Sequence, residues 1–94
     1  MNNPVLIQKE EIKNIRFPKE DVLLIKSETL IRDRALNNAL LLGNLEHGKV
    51  KLTFLDYAKK MYQVETTVWA VTEESVCLKG DLLLPKRSLL SVGY

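Results

Sequence analysis

The sequence predicts an α+β fold, mainly β, in which a small antiparallel barrel of about five strands is joined to one amphipathic helix and an irregular N-terminal segment. Residues 49–92 contain short apolar runs separated by turn signals. Residues 27–43 carry a helical apolar period between a serine and a glycine. A chain of 94 residues is also too short to form two separate cores. We therefore expect a single domain over residues 1–94, made of an N-terminal segment (1–26), a helix (27–43) and a barrel (49–92).

The composition is that of a folded globular protein, with 46% hydrophobic and 28% charged residues and a net charge of only +2. Cys77 is the single cysteine, which excludes an intramolecular disulfide and a zinc site built from cysteines of one chain. Residues 1–5 lack a secretory pattern, and no apolar run has the length of a membrane span. These observations predict a cytoplasmic protein that does not enter a membrane.

The N-terminal segment follows no single period. A strand over residues 14–17, stopped by Pro18, is the preferred interpretation, because proline cannot donate to a ladder. A short helix opened by Pro4 is the alternative. The unbroken apolar run of residues 22–25 then predicts a short strand over residues 21–26.

The central segment is expected to be a helix over residues 28–42, capped by Ser27 and terminated by Gly43. Its predicted buried stripe comprises Ile31, Ala35, Ala39 and Leu42, flanked by Leu36 and Leu40. Leu30 and Leu41 lie away from this stripe, and two interpretations stay open. Either the N-terminal segment half-buries them, or they form with Ile31 an apolar face that docks on a partner.

The barrel is expected to begin with a half-buried strand in which Val50, Leu52 and Phe54 alternate with polar residues. After a loop over residues 56–61, residues 62–72 are expected to form one long bent strand. The last elements are a turn at Glu73 and Glu74, a strand over 75–79, a hairpin turn at Gly80 and Asp81, a strand over 82–84, a proline-led 3₁₀ turn over 85–88 and a closing strand over 89–92.

The long strand does not keep one alternation, so the position of Trp69 is open. A bulge at Thr66 and Thr67 would turn Trp69 into the barrel. Without it, Val68 and Ala70 lie inside and Trp69 lies on the surface. The sequence alone does not decide between the two.

The order strand, long bent strand, two short strands, proline-led turn and closing strand in residues 49–92 resembles the SH3-like and Sm-like small barrels. The stretch 64–90, VETTVWAVTEESVCLKGDLLLPKRSLL, is similar to the C-terminal part of a group of short, uncharacterised bacterial proteins, and this resemblance extends to residues 27–44. It implies a shape and no activity. The aromatic groove of SH3 domains and the nucleotide-binding signature of Sm proteins are both missing, so no ligand carries over.

No set of residues predicts catalysis. His47 is the only histidine and is expected to be a solvated loop residue. Cys77 lies between two apolar residues of a strand, where packing is the expected role. The adjacent carboxylates of Glu73 and Glu74 diverge and form no acid–base pair. We therefore expect no enzyme activity, no cofactor, no metal site and no small-molecule substrate.

Two loops combine cations with aromatic rings, which is what a single-strand nucleic-acid binder requires. The candidate nucleic-acid surface comprises Tyr57, Lys59, Lys60, Tyr62, Lys86 and Arg87. Arg32 and Arg34 on the helix either extend this surface or pair with Asp33 and Glu28.

The function predicted first is a non-enzymatic protein-interaction or self-association module. It would use the helix face of Leu30, Ile31 and Leu41, together with an exposed strand edge, to bind a protein partner or a second copy. The alternative is a nucleic-acid-binding module that uses the cationic loops.

Overall fold

The computed structural model describes residues 3–94 and consists of one α-helix, two 3₁₀ helices and seven strands in two sheets. The strands are β1 (Val5–Ile7), β2 (Val50–Leu55), β3 (Met61–Thr66), β4 (Val68–Val71), β5 (Ser75–Leu78), β6 (Leu82–Pro85) and β7 (Leu89–Gly93). The helix α1 spans Lys26–Glu46, and the 3₁₀ helices span Lys9–Asn14 and Lys86–Ser88. The predicted α+β class with mainly β structure is therefore confirmed.

The seven strands do not form one closed barrel. Four strands pair in the order β1-β3-β2-β7, in which β1 is parallel to β3 and the other pairs are antiparallel. The remaining three form an antiparallel sheet in the order β4-β5-β6. We refer to them as the first and the second sheet. The prediction of a closed antiparallel barrel of about five strands is wrong in its closure and strand number, because residues 62–72 are interrupted at Thr67 and β1 adds a parallel strand.

The core lies between the two sheets and α1. Along β2 the side chains of Val50, Leu52 and Phe54 are buried while their neighbours are not, so the predicted alternation is confirmed. The other apolar residues buried in this core are Ile12, Leu36, Ala39, Val64, Val68, Val76, Leu78, Leu84 and Leu89. Burying a side chain of this size contributes about 1.5–3 kcal/mol, so the dozen together supply the main stabilising term.

The two strands predicted in the N-terminal segment are wrong. Residues 14–17 join no ladder, although Ile15 and Phe17 both pack against the core. A helical element does occur, but it is the 3₁₀ helix that starts at Lys9, and it buries Ile12. Residues 21–25 are irregular because the carboxylate of Asp21 accepts a hydrogen bond from the Leu23 amide at 2.8 Å, which turns the backbone.

The helix α1 is longer than predicted at both ends. Ile25, not Ser27, is its N-cap, and His47 ends it in the left-handed conformation with φ 54°. Gly43 lies inside the helix and is buried against β4. A Cβ on Gly43 would lie 2.3 Å from the carbonyl oxygen of Val68. This glycine therefore allows a close approach between helix and strand and does not terminate the helix.

The buried stripe of α1 keeps Ala39 from the predicted one, and its other members lie one residue further along the chain. It consists of Arg32, Leu36, Ala39 and Gly43, and it packs against β4 and β7. Ile31, which the sequence placed in the stripe, is 66% exposed. Leu30 and Leu41 are 55% and 58% exposed, so about half of each side chain is open to solvent.

Trp69 lies on the surface. Val68 pairs with Leu78 and is fully buried, whereas Ala70 pairs with Cys77, so the register shifts at Trp69. The alternation breaks at Thr66 and Thr67, which are both buried like Val68, but this break does not turn Trp69 inward. The register shift after Val68 leaves Ala70 exposed as well, so the expectation that Ala70 lies inside is wrong. Trp69 remains 46% exposed on the outer side of the second sheet.

The C-terminal elements follow the prediction. The hairpin turn after β5 places Gly80 and Asp81 at positive φ, 91° and 60°. The 3₁₀ helix of residues 86–88 and the closing strand β7 also lie where the sequence placed them, within one residue. Within residues 3–94, no helix combines the length and the apolar character needed to cross a membrane.

Candidate functional site

The outward side of α1 carries four large apolar side chains, which we call the outer helix face: Leu30, Ile31, Leu41 and Leu45. Their exposed fractions are 55%, 66%, 58% and 79%. Leu41 and Leu45 are four residues apart and so lie on adjacent turns of one side of the helix. Leu30 and Ile31 lie about 15 Å away along the helix axis. The face thus consists of two small apolar patches, one near each end of the helix.

Polar side chains separate the two ends of the outer helix face. Between Leu30 and Ile31 at one end and Leu41 and Leu45 at the other lie three exposed polar residues, Arg34, Asn37 and Asn38. A polar residue inside an apolar contact restricts the partners and registers that fit, because it needs a hydrogen-bond partner when buried. The apolar side chains of the outer helix face therefore form two groups with polar residues between them.

The apolar surface continues into the residues that precede α1. Leu24 is 89% exposed and Ile25 is 59% exposed. The sequence could not identify them as surface residues, because an unbroken apolar run is more typical of a buried strand.

Arg32 holds this end of the helix in place. Its guanidinium donates two hydrogen bonds to the Asp21 carboxylate, at 2.8 and 2.7 Å, and one to the Leu89 carbonyl at 3.0 Å. These bonds are the main reason why the pKa of Asp21 lies below its usual value. The prediction that Arg32 extends a cationic surface or pairs with Asp33 or Glu28 is wrong, because Arg32 is 5% exposed and its partner is eleven residues away. Arg34 lies exposed on α1.

The loop between β2 and β3 is organised by Asp56. Its carboxylate accepts hydrogen bonds from the amides of Ala58 and Lys60, both at 2.9 Å. Lys59 adopts the left-handed conformation with φ 64°, as expected of a three-residue hairpin loop. This geometry directs the side chains of Tyr57 and Lys59 into solvent.

Two cation–aromatic contacts lie at this loop. The guanidinium carbon of Arg16 is 5.4 Å from the centre of the Tyr57 ring, and the Lys60 ammonium is 5.5 Å from that of Tyr62. Tyr62 also stacks on Phe54 at 5.6 Å and packs against the core, so only part of its ring is accessible. The sequence did not identify Arg16, because its proximity to Tyr57 depends on the fold of the N-terminal segment.

Lys86 and Arg87 lie apart from that loop. The Lys86 ammonium is 3.6 Å from Asp33, and the Arg87 side chain donates to the carbonyl of Pro18. Both line a cleft with Glu73 and Glu74. The N-terminal segment contacts both loops. The carbonyl of Arg16 accepts a hydrogen bond from the Tyr57 amide, and the Val22 amide donates one to the carbonyl of Arg87. The six predicted nucleic-acid residues therefore form two groups separated by this segment.

The outer sides of the two sheets differ in character. The first sheet presents polar pairs, with Lys51 opposite Glu65 and Thr53 opposite Gln63. The second sheet presents what we call the apolar sheet face, which comprises Trp69, Ala70, Cys77 and Leu83. The sequence missed this surface, because it depends on the register shift at Trp69.

The residues considered for chemistry are dispersed. His47 is exposed at the C-terminus of α1, Cys77 is half-buried in the middle of β5, and Glu73 and Glu74 are exposed in a turn. Among the described residues, no three histidine, cysteine, aspartate or glutamate side chains lie close enough together to hold a metal ion.

Comparison with known proteins gives no relative: the chain matches no protein-family model, no curated protein and no solved structure. The resemblance to SH3-like and Sm-like barrels therefore stays a prediction, and function has to be argued from the surfaces described above.

Proposed function

We propose that the protein is a non-enzymatic interaction module that binds a protein partner through the outer helix face, with a second copy as the first partner to test. The observation that carries this proposal is the exposure, by more than half, of four large apolar side chains on one helix. Exposing apolar side chains to water is unfavourable, so a partner that covers them is stabilised by the free energy of removing that surface from water.

The expected strength of this contact follows from the area involved. Covering a half-exposed leucine or isoleucine contributes about 1 kcal/mol, so the four together contribute about 4 kcal/mol. Association itself costs at least about 4 kcal/mol. The outer helix face alone therefore at best offsets the cost of association, and a stable contact would also cover Leu24 and Ile25 or use another surface of the molecule.

The test is solution mass by light scattering over a concentration series. Leu30→Lys and Leu41→Lys each place a charge in the contact and are expected to lower the mass of the assembly. Asn44→Lys is the matched control, because residue 44 is exposed on the same helix outside the outer helix face. An assembly whose mass is the same for all four proteins would contradict the proposal.

We also propose that the two sheets are an opened small barrel of the SH3-like type that serves as a scaffold for α1. The order β2, β3 bent into β4, β5, β6, 3₁₀ helix and β7 supports this, since it is the order on which the resemblance rests. The free thiol of Cys77 supports a reducing compartment such as the cytoplasm.

Nucleic-acid binding is the second candidate, and the two cation–aromatic contacts at Arg16–Tyr57 and Lys60–Tyr62 favour it. Replacing Lys59 and Lys60 by serine is expected to reduce retention on a single-stranded oligonucleotide, with a lower dependence on salt. The same replacements at Lys86 and Arg87 serve as the comparison. Retention that does not respond to salt would exclude this candidate.

A further inference from the structure

The apolar sheet face is an unusual surface for an open antiparallel sheet. Such a sheet packs one side on the core and normally presents polar side chains on the other. The antiparallel strands β2 and β3 of the first sheet do so, and Gln63 donates a hydrogen bond to Thr53 across them at 3.1 Å, although Leu6 on the parallel strand β1 is exposed on the same side. The second sheet instead presents Trp69, 46% exposed, and Leu83, 57% exposed.

The strand register places these side chains side by side. Cys77 on the central strand β5 lies opposite Ala70 on β4 and opposite Leu83 on β6. Trp69 adjoins Ala70 at the register shift. The four residues therefore form one continuous patch centred on Cys77 rather than scattered exposed positions.

The two ends of β5 carry different charges. The turn before β5 contains Glu73 and Glu74, both exposed. The turn after β5 contains Lys79 and Asp81, and the Lys9 ammonium reaches it, since it would lie 3.5 Å from a Cβ on Gly80. Within residues 3–94, neither glutamate and neither lysine takes part in an ion pair. Lys86 and Arg87 share a cleft with the two glutamates, but Lys86 is paired with Asp33, so this end of the patch keeps an excess of negative charge. The other end has an excess of positive charge.

We propose that a second copy of this chain packs on the apolar sheet face, with the two β5 strands antiparallel and the two-fold axis passing close to Cys77. This arrangement rests on the self-association that the proposed function names and adds a second surface to the outer helix face. It places Glu73 and Glu74 of one copy over Lys79 and Lys9 of the other, twice by symmetry. The parallel arrangement would bring the glutamates of both copies together, which like charges disfavour.

The chain contains its own probes for this arrangement, because its single tryptophan and its single cysteine both lie on the apolar sheet face. On increasing concentration, the emission of Trp69 is expected to shift to shorter wavelength as the partner excludes water. A bismaleimide with a short spacer is expected to link Cys77 to the cysteine of the second copy, since packed sheets lie about 10 Å apart.

Leu83→Lys is expected to abolish both the emission shift and the cross-link. Leu6→Lys is the matched control, because Leu6 is 75% exposed on the outer side of the first sheet. If the emission of Trp69 does not change with concentration, or if the cross-link survives Leu83→Lys, the proposal is wrong.

A charge exchange tests the antiparallel arrangement itself. Lys79→Glu alone, and Glu73→Lys with Glu74→Lys, should each weaken dimerisation by about tenfold, since each removes the attraction at two symmetry-related contacts. An equimolar mixture of the two variants should form a heterodimer of at least wild-type affinity, because opposite charges again meet at both contacts. A mixture no stronger than the separate variants would overturn the arrangement.

These results also separate this inference from the proposed function. A lower mass of the Leu41→Lys assembly with an unchanged Cys77 cross-link would support both surfaces. The other outcome is that Leu41→Lys lowers the mass while the emission of Trp69 stays constant with concentration. That result would support the outer helix face alone and contradict the apolar sheet face.

Discussion

Arg32 is the residue on which the position of the N-terminal segment depends. Its guanidinium is almost fully buried, and its two terminal nitrogens donate to the Asp21 carboxylate and the Leu89 carbonyl, while its Nε is buried without a partner. It thereby connects the N-terminal segment, α1 and β7 at one point. Removing one member of such a pair leaves the other charge buried without compensation, which costs more than the pair itself contributes.

Asp21→Ala is therefore expected to lower the free energy of unfolding by about 2–3 kcal/mol, less than for a fully buried pair because the Asp21 side chain is 36% exposed. Urea unfolding measures this difference. Glu20→Ala changes an exposed neighbouring carboxylate and is expected to have little effect. Combining Asp21→Ala with Arg32→Met should recover most of the loss, and a double variant as unstable as the single one would contradict the explanation.

The same pair predicts the pH dependence of stability. Hydrogen bonds from Arg32 lower the pKa of Asp21 in the folded state, below the value of about 4 that it has in the unfolded chain. The unfolded state therefore binds the proton more readily, and the stabilisation by Asp21 is complete above the unfolded pKa. It is lost as the pH falls from there through the folded pKa. Asp21→Asn should remove this part of the acid destabilisation, and parallel urea-midpoint profiles for both proteins would contradict it.

Gly43 is the residue at which the sequence predicts the end of helix α1, and the helix continues past it. A glycine after an apolar helical stretch is typical of a helix end, and the sequence predicts one there. The chain nevertheless stays helical to Glu46, because β4 packs so closely that only glycine fits at this position. Sequence periodicity identified α1, β2 and the C-terminal hairpins, since those depend on local patterns.

The features that the sequence did not predict depend on contacts between residues that are far apart in the chain. The buried stripe of α1 differs from the predicted one because Arg32 has its partner eleven residues away, whereas the face of Leu30, Ile31 and Leu41 follows from the helical period and is exposed. The apolar sheet face depends on a register shift at Trp69 that periodicity does not determine. Of the predicted nucleic-acid residues, Lys86 and Arg87 separate from Tyr57 because the N-terminal segment folds against both loops.

Gly43→Ala is expected to destabilise the protein by about 1–3 kcal/mol, because the added Cβ would overlap the carbonyl oxygen of Val68. In an exposed helix the same substitution would stabilise by about 1 kcal/mol, so the sign of the effect is informative. Asn44→Ala, on the next and exposed position, is the control and should be neutral or slightly stabilising. A more stable Gly43→Ala protein would show that α1 and β4 are not in close contact.

The molecule as a whole presents two apolar surfaces on different elements, the outer helix face and the apolar sheet face. Two separate surfaces that each bind a second copy about a two-fold axis generate either a closed tetramer or an open chain of copies. A closed tetramer has a fixed mass at high concentration, whereas an open chain continues to grow. Because the two surfaces share no residue, a substitution in one is expected to leave the contacts of the other intact.

The wild-type chain, a variant of each surface and the double variant are therefore expected to form four distinguishable assemblies. The wild-type chain is expected to form a tetramer at high concentration, and Leu41→Lys a dimer that cross-links through Cys77. Leu83→Lys should form a dimer that does not cross-link, and the double variant a monomer with unchanged circular dichroism. Light scattering with the bismaleimide reaction measures all four. A double variant that still associates would mean that a third surface, such as the exposed edge of β1 or β7, holds the copies together.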